Sequence, residues 1–247
     1  TVPLKLGAAP DVLAVRGEVY MPRSGFHELN EERLRNDQDP FANPRNAAAG
    51  TIRQLDPKVV AERPLDIFFY EVLDCSQEIS TQKDAFDLMK SVGLRVNDLN
   101  EVGNDIDSFI DYRDEIMEMR DNLEYDVDGV VAKVNQIEKR EEMGRTARHP
   151  RWAFAYKFPP KTGETTVRKI VVQVGRTGKL TPVALLDPVD LKGVTVSRAT
   201  LHNGELASEL GVSEGARVKV ERAGDVIPEI DEVVESEGEF KMPDSCP

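Results

Sequence analysis

The chain is poor in the residues that usually build metal centres and disulfide frameworks. It has two cysteines, Cys75 and Cys246, which are far apart, and three scattered histidines, His27, His149 and His202. This pattern excludes a disulfide scaffold and argues against a histidine metal cluster or a Ser-His-Asp triad. Two widely separated cysteines are typical of a reducing compartment, so we expect a cytoplasmic protein.

Long apolar runs are also missing. No stretch approaches the roughly 20 apolar residues that cross a bilayer as a helix, and the N-terminal residues do not resemble a secretory signal. We therefore expect no membrane partner, and the sequence shows no sign of an obligate protein partner. With 247 residues, 40% of them hydrophobic, the chain can fold as one large domain or two ordinary ones.

Positive charge is scarce overall but concentrated in one segment. The net charge is −13, and the stretch 101–128 holds eleven acids against two arginines. Between Arg140 and Lys179, in contrast, ten basic residues face three acids. A local basic patch on an acidic protein is the form that electrostatic recognition of a polyanion takes. A solvated face with fortuitous clustering is the alternative, and acidity of this kind is also common in proteins from high-salt organisms.

Two lysines, each at the end of a short apolar run, are the most informative feature that is present. The runs are Asp128-Gly-Val-Val-Ala-Lys133 and Trp152-Ala-Phe-Ala-Tyr-Lys157-Phe. Because side chains alternate along a strand, each lysine shares a face with small residues, which leaves room for a ligand. An ammonium there can contact a phosphate as a point charge. Alternatively, each lysine simply ends an edge strand.

Periodicity and turn residues divide the chain near Pro159-Pro160. Before this point we predict the strands Leu13–Tyr20, Leu65–Leu73 and the two lysine runs, and the helices Glu28–Asn36, Thr81–Gly93 and Ile106–Arg120. We also predict a further helical linker between the lysine runs and a loop over Asp39–Gly50.

After Pro159-Pro160 we predict five short strands, Val167–Val174, Leu180–Leu186, Val194–Arg198, Ala216–Arg222 and Val226–Val234, with a helical insert near Leu201–Leu210. Short strands with glycine-rich turns indicate a barrel of the oligonucleotide-binding (OB) type.

Several strings, in this order, carry a family resemblance. They are Val15-Arg-Gly-Glu-Val-Tyr20, Phe41-Ala-Asn-Pro-Arg-Asn-Ala-Ala-Ala-Gly50, Arg53-Gln-Leu-Asp-Pro57, the two lysine runs, Gln173-Val-Gly-Arg-Thr-Gly178 with Leu180-Thr-Pro182, and Ser197-Arg-Ala-Thr-Leu-His-Asn203. The chain resembles the middle of a bacterial-type NAD-dependent DNA ligase over nearly its whole length. The resemblance implies an α+β fold: an incomplete nucleotidyltransferase (adenylation) domain over 1–159, with ATP-grasp-like antiparallel sheets and helices, an all-β OB-fold domain over 160–240, and the start of a truncated zinc module over 241–247.

The resemblance implies a role for each candidate site residue. Glu18 would hold the adenosine ribose, Lys133 and Lys157 would contact the AMP phosphate of NAD, and Asp128 would help to place Mg²⁺. Arg120 would line the nucleotide site. Arg45, Arg53 and Arg176 would bind the backbone of nicked duplex DNA, the partner that a ligase in DNA replication and repair requires. Cys246 would be the first zinc ligand, with Zn²⁺ bound only in the intact protein.

Structural explanations compete with these roles for single residues. Glu18 could pair with Arg16 on an edge strand, and Asp128 could cap a turn with Gly129. Arg45 and Arg53 flank a predicted loop and could be structural, whereas Arg120 could only stabilise its acidic helix.

The Lys-x-Asp-Gly nucleophile motif of such enzymes does not occur in the 247 residues. We therefore expect this chain to be a fragment that does not adenylylate itself. Two other functions stay open: a non-catalytic module that binds nicked DNA or a nucleotide, and a related ATP-dependent nucleotidyltransferase such as an ATP-dependent ligase or an RNA-capping enzyme.

Overall fold

The computed structural model describes residues 2–160, 162–191, 194–223 and 227–243. The chain forms two compact units, Thr1–Phe158 and Pro159–Pro247. The first unit contains β1 (Leu13–Tyr20), α1 (Arg23–Arg35), α2 (Pro44–Ile52), α3 (Pro57–Ala61), β2 (Asp66–Cys75), α4 (Gln82–Ser91), α5 (Ile106–Met119), a 3-10 turn (Arg120–Asn122), β3 (Gly129–Lys133), α6 (Ile137–Met143) and β4 (Ala153–Lys157). No helix in the described part of the chain is long and apolar enough to cross a membrane.

Strands β1 and β2 form a two-stranded antiparallel sheet with one buried face. Ile67 and Phe69 on β2 pack with Met89 and Val92 from the region of α4. Helix α4 begins with a reciprocal cap: the Thr81 hydroxyl accepts a hydrogen bond from the Asp84 backbone N–H, and the Asp84 carboxylate accepts one from the Thr81 backbone N–H. On the opposite face the rings of Tyr20 and Phe68 stack with 4.8 Å between their centres, and the Tyr125 ring contacts both.

The prediction of a loop over Asp39–Gly50 was wrong, because its second half is helix α2. Pro44 stands at the start of the helix, where a missing backbone N–H costs nothing. The Asn43 side chain caps the helix by accepting from the backbone N–H of Asn46 at 2.7 Å. The alanines that follow are good helix formers. Proline and asparagine, which suggested a loop, here start a helix.

Helix α1 also begins earlier than predicted, at Arg23 rather than Glu28. Pro22 sits directly before the first helical turn. A proline at this point both ends a strand and suits a helix start, since its φ is already near the helical value. Buried Leu29 from α1 then packs with Ala47 and Ala48 from α2.

Strands β3 and β4 form a second antiparallel pair, and helix α6 lies in the connection between them. Val130 and Phe158 pack on one side of this pair with Ile116 from α5. The lysine strands and the helical linker between them are as predicted.

The second unit is a closed barrel with the strand order β5-β6-β7-β9-β8. Its elements are β5 (Gly163–Val174), β6 (Leu180–Leu191), β7 (Val194–Thr200), α7 (Gly204–Glu209), β8 (Arg217–Ala223) and β9 (Ile227–Glu235). Small and branched apolar residues, among them Val167, Leu186, Leu201 and Val218, fill its interior. The predicted α+β fold with an OB-type barrel is confirmed, with strand ends that differ from the prediction by a few residues.

Candidate functional site

The pairing register of β3 and β4 places both lysines on one face of the sheet. Lys133 is opposite Ala153, and Lys157 is opposite Gly129. Directly opposed residues in an antiparallel pair share a face, as do alternate residues along a strand. The lysines therefore stand at opposite ends of a face lined by small residues, with their Cα atoms about 13 Å apart at the usual rise per residue. Two ammonium groups on such a face can approach one anionic ligand from both ends.

Lys133 reaches from its strand to Tyr70 on β2. Its Nζ lies 3.5 Å from the Tyr70 carbonyl oxygen and 5.1 Å from the centre of the Tyr70 ring. Burial lowers the pKa of the Lys133 ammonium; the carboxylate of Glu71 opposes this change, and the nearby guanidinium of Arg140 adds to it. A partly buried lysine whose charged form is destabilised by desolvation is typical of a functional site.

Glu18 and Tyr70 share the face of the β1–β2 sheet that is turned away from the core. Glu18 is opposite Phe68, and Tyr70 follows two positions later on the same side. Burial raises the pKa of the Tyr70 hydroxyl, Arg16 lowers it, and the carboxylates of Glu18 and Glu71 raise it further. The Tyr70 ring thus lies close to both the Glu18 carboxylate and the Lys133 ammonium.

The suggested pairing of Glu18 with Arg16 does not form. Arg16 bonds instead to Glu71 at 2.9 Å across the sheet, after an irregularity in the register. Glu18 is exposed and stays accessible to a ligand. Tyr70 was not singled out from the sequence, although an aromatic residue that alternates with buried Phe69 indicates an outward-facing ring.

Asp128 and Arg45 meet at the end of the lysine face where Lys157 stands. The Arg45 guanidinium lies 3.9 Å from the Asp128 carboxylate, and both side chains are largely solvent-accessible. Asp128 immediately precedes Gly129, the residue opposite Lys157. Arg53 is exposed at the other end of α2. The α2 arginines are about 12 Å apart along the helix axis.

Arg120 lies beside Phe158, the residue that follows Lys157. Its guanidinium is 5.8 Å from the centre of the Phe158 ring and 4.0 Å from the carboxylate of Asp121. Phe158 packs with Val130, whose side chain is on the face of β3 opposite to that of Lys133. The described contacts of Arg120 are thus with Phe158 and Asp121, and its place at the nucleotide site stays a prediction.

Arg176 is at the exposed tip of the β5–β6 hairpin in the second unit. The turn is closed by bonds from Gly175 N to Lys179 O at 2.8 Å and from Gly178 N to Gly175 O at 2.9 Å. Gly178 has φ +79°, a conformation that favours glycine. Arg176 forms no ion pair with another described residue, so its guanidinium is available for a ligand.

Metal ligands are not grouped in the part of the chain that the structure describes. No set of three or more His, Cys, Asp or Glu side chains there could hold a metal ion. The predicted zinc ligand Cys246 lies outside the described residues.

The fold and these sites define a nucleotidyltransferase-type unit joined to an OB-fold barrel. The family model of the NAD-dependent DNA ligase adenylation domain matches residues 1–161, and that of the NAD-dependent DNA ligase OB-fold domain matches residues 164–241. The chain belongs to the NAD-dependent DNA ligases.

Proteins named DNA ligase resemble the chain over its full length. The one from Haloarcula marismortui is 57% identical over 250 residues, and the one from Haloferax volcanii is 57% identical over 249 residues. The one from Carboxydothermus hydrogenoformans is 47% identical over 252 residues. Each match covers 100% of this chain but only 36%, 36% and 38% of the respective relative, so the chain spans little more than a third of their length.

Proposed function

We propose that this chain supplies the nucleotide-binding face and the DNA-binding barrel of an enzyme that seals nicks in duplex DNA, with NAD as the adenylyl donor. The observation that carries the proposal is the shared face of Lys133 and Lys157, next to the surface that holds Glu18 and Tyr70. Family membership supports the choice of NAD and DNA as ligands.

The two lysines suit the stabilisation of a phosphate on which negative charge develops. An ammonium fixed before the reaction stabilises that charge without reorganisation during the step. Lys133 is oriented by Tyr70, whereas Lys157 is exposed at the opposite end of the face. We assign both to the AMP phosphate of NAD.

Glu18 and Tyr70 suit the nucleoside part of the ligand. A carboxylate accepts hydrogen bonds from ribose hydroxyls, and an aromatic ring offers a face on which a base can stack. Glu18 is exposed and Tyr70 is partly so. We assign Glu18 to the ribose and the Tyr70 ring to the adenine. Arg120 stays a candidate for the nucleotide site, and its guanidinium lies 5.8 Å from the centre of the Phe158 ring.

Asp128 suits a magnesium ion that is shared with the nucleotide. Mg²⁺ is typically held by one or two carboxylates together with phosphate oxygens and waters, so a single accessible carboxylate beside a phosphate site fits. The bound ion would neutralise charge on the phosphates. Zinc stays a prediction for the complete protein.

Arg45, Arg53 and Arg176 suit the backbone of nicked DNA. Arg45 is exposed on α2, Arg53 is exposed directly after its end, and Arg176 is at an exposed turn of the barrel. Contacts to phosphates by exposed arginines fix a protein on a duplex without reading its sequence.

A chimera tests the proposal. This chain would replace the matching third of the Haloarcula marismortui ligase, and nick sealing would be measured with NAD and, separately, with ATP. We expect sealing with NAD only. Sealing with ATP alone would support a related ATP-dependent enzyme. A folded chimera that binds nicked DNA but seals with neither donor would reduce the chain to a binding module.

A further inference from the structure

A loop rich in arginine connects α6 to β4. Residues 144–151 read Gly-Arg-Thr-Ala-Arg-His-Pro-Arg and contain no acid. Arg145, Arg148 and Arg151 are all exposed. The basic segment noted in the sequence thus has a defined structural centre. We call residues 144–151 the arginine loop.

Hydrogen bonds fix the backbone of the arginine loop. Thr146 N donates to His149 O at 2.8 Å, and the Thr146 hydroxyl accepts from His149 N at 2.9 Å. Arg151 N donates to Gly144 O at 3.1 Å, and Arg145 bridges to Pro150. Arg145 and Arg151 are therefore at the two sides of the base of a narrow ribbon, and Arg148 is in its turn. A backbone that is already ordered loses less entropy on binding.

The arginine loop keeps its charge unpaired within the described residues. Its arginines form no ion pair there, although Glu141 and Glu142 precede the loop on α6. Other arginines of the first unit do have acidic partners, such as Arg16 with Glu71 and Arg35 with Glu31. In a chain of net charge −13, three neighbouring unpaired arginines favour an anionic ligand from outside.

The composition of the loop favours phosphates over a protein surface. A guanidinium presents a planar fork of donors that matches phosphate oxygens. Protein interfaces, in contrast, usually have an aromatic or apolar centre, and the arginine loop has no apolar residue larger than Pro150. A two-stranded ribbon is also narrow enough for the major groove of a duplex.

We propose that the arginine loop is a further DNA contact, in which Arg145, Arg148 and Arg151 bind backbone phosphates of the duplex. This inference rests on the proposed function, because it assumes that the chain binds nicked DNA. It adds a contact on the first unit that is separate in sequence from Arg45 and Arg53 on α2 and from Arg176 in the barrel. Since only the backbone is contacted, sequence preference is not expected.

Salt dependence of DNA binding provides the test. The 247-residue chain would be titrated with a labelled nicked duplex by fluorescence anisotropy at several salt concentrations. The variant R145Q/R148Q/R151Q should bind more weakly, with a log–log salt slope flatter by about two to three units, since each phosphate contact contributes about 0.9. R148Q alone should flatten it by about one unit.

A matched control removes the same charge elsewhere. The variant R35Q/K83Q/K90Q also loses three exposed cations, but each of these has an acidic partner: Glu31, Asp87 and Asp98 respectively. Its salt slope should stay close to that of the unmodified chain. Circular dichroism would confirm that both variants are folded.

The outcomes separate this inference from the proposed function. If the unmodified chain binds and both triple variants change its slope equally or not at all, the arginine loop is not a DNA contact and the proposed function stands. If the unmodified chain does not bind nicked DNA even at low salt, the DNA-binding part of the proposed function fails, and the inference fails with it.

Discussion

Gly129 lies directly opposite Lys157, and the two backbones approach too closely for any side chain at residue 129. A Cβ atom there would stand 2.7 Å from the Cα of Lys157 and would clash with the carbonyl oxygen of Tyr156. Glycine within a strand often marks such an approach. The residue after Asp128 thus determines how closely β4, and with it Lys157, packs against β3.

We predict that Gly129→Ala destabilises the first unit. The new Cβ meets backbone atoms that cannot move without separating the strands, so we expect a loss of about 1–3 kcal/mol in the free energy of unfolding. Urea unfolding would measure it. Gly50→Ala is the matched control: no atom lies within 4 Å of a Cβ at that helical position. Alanine should stabilise α2 there by up to about 1 kcal/mol. Equal effects of the two changes would contradict the role given to Gly129.

Local patterns predicted the strands of the site but not how they pair. The alternation of small and aromatic residues is enough to predict to which face of its own strand each lysine side chain points. It does not reveal that Lys133 and Lys157 share one face, because that depends on a register between segments joined by a helix and the arginine loop. The OB-type barrel was easier to predict, since its short strands are separated by glycine-rich turns.

The positions of Tyr70 and Arg120 depend on contacts that are distant in sequence. Tyr70 becomes part of the site because Lys133, 63 positions away, reaches its carbonyl oxygen. Arg120 lies beside Phe158, which is distant in sequence and packs with Val130. Neither contact can be predicted from the spacing of residues along the chain. Helix α2 was missed for another reason: Asn43 and Pro44 start helices as readily as they form loops.

We predict that Lys133→Met stabilises the folded chain at neutral pH. Burial lowers the pKa of Lys133 below its usual 10.5, so the folded chain bears a desolvated charge. Between the lowered pKa and 10.5 the unfolded chain binds more protons than the folded chain, and the stability of the unmodified chain rises with pH in that window. The gain in the free energy of unfolding from Lys133→Met should therefore be greatest at pH values below the lowered pKa. It should decrease as the pH rises from there to 10.5.

Urea unfolding of both proteins at pH 7 and at steps up to pH 10.5, the usual lysine value, provides the measurement. Tyrosines that titrate in the same range are present in both proteins, so the difference between the two curves isolates residue 133. A difference that stays constant with pH, or a variant that is less stable throughout, would mean that the contacts of the ammonium with Tyr70 outweigh its desolvation.

We predict that Lys157→Ala in the chimeric ligase slows adenylyl transfer without unfolding the protein. Lys157 is exposed, so its loss leaves no cavity. The loss of one preorganised donor of charge stabilisation typically lowers the rate by about 10²–10³. Lys157→Arg should recover little of it, because a planar fork does not replace a compact ammonium. Single-turnover kinetics would provide the rates. Lys83→Ala, which removes an exposed lysine paired with Asp87, is the control and should act as the unmodified chimera.

Arg176 is exposed at the tip of the β5–β6 hairpin. Its turn exposes the guanidinium on a backbone that Gly175 and Gly178 close tightly. If Arg176 binds one DNA phosphate, Arg176→Ala should weaken binding to nicked duplexes of any sequence alike and flatten the log–log salt slope by about one unit. Anisotropy titrations with two duplexes of unrelated sequence would measure both effects. Lys219→Ala serves as control in the same barrel, since Lys219 is bonded to Glu232 at 2.7 Å and should not be available to DNA. A slope unchanged by Arg176→Ala, or flattened equally by Lys219→Ala, would place Arg176 away from the DNA and leave the barrel open to binding a protein instead.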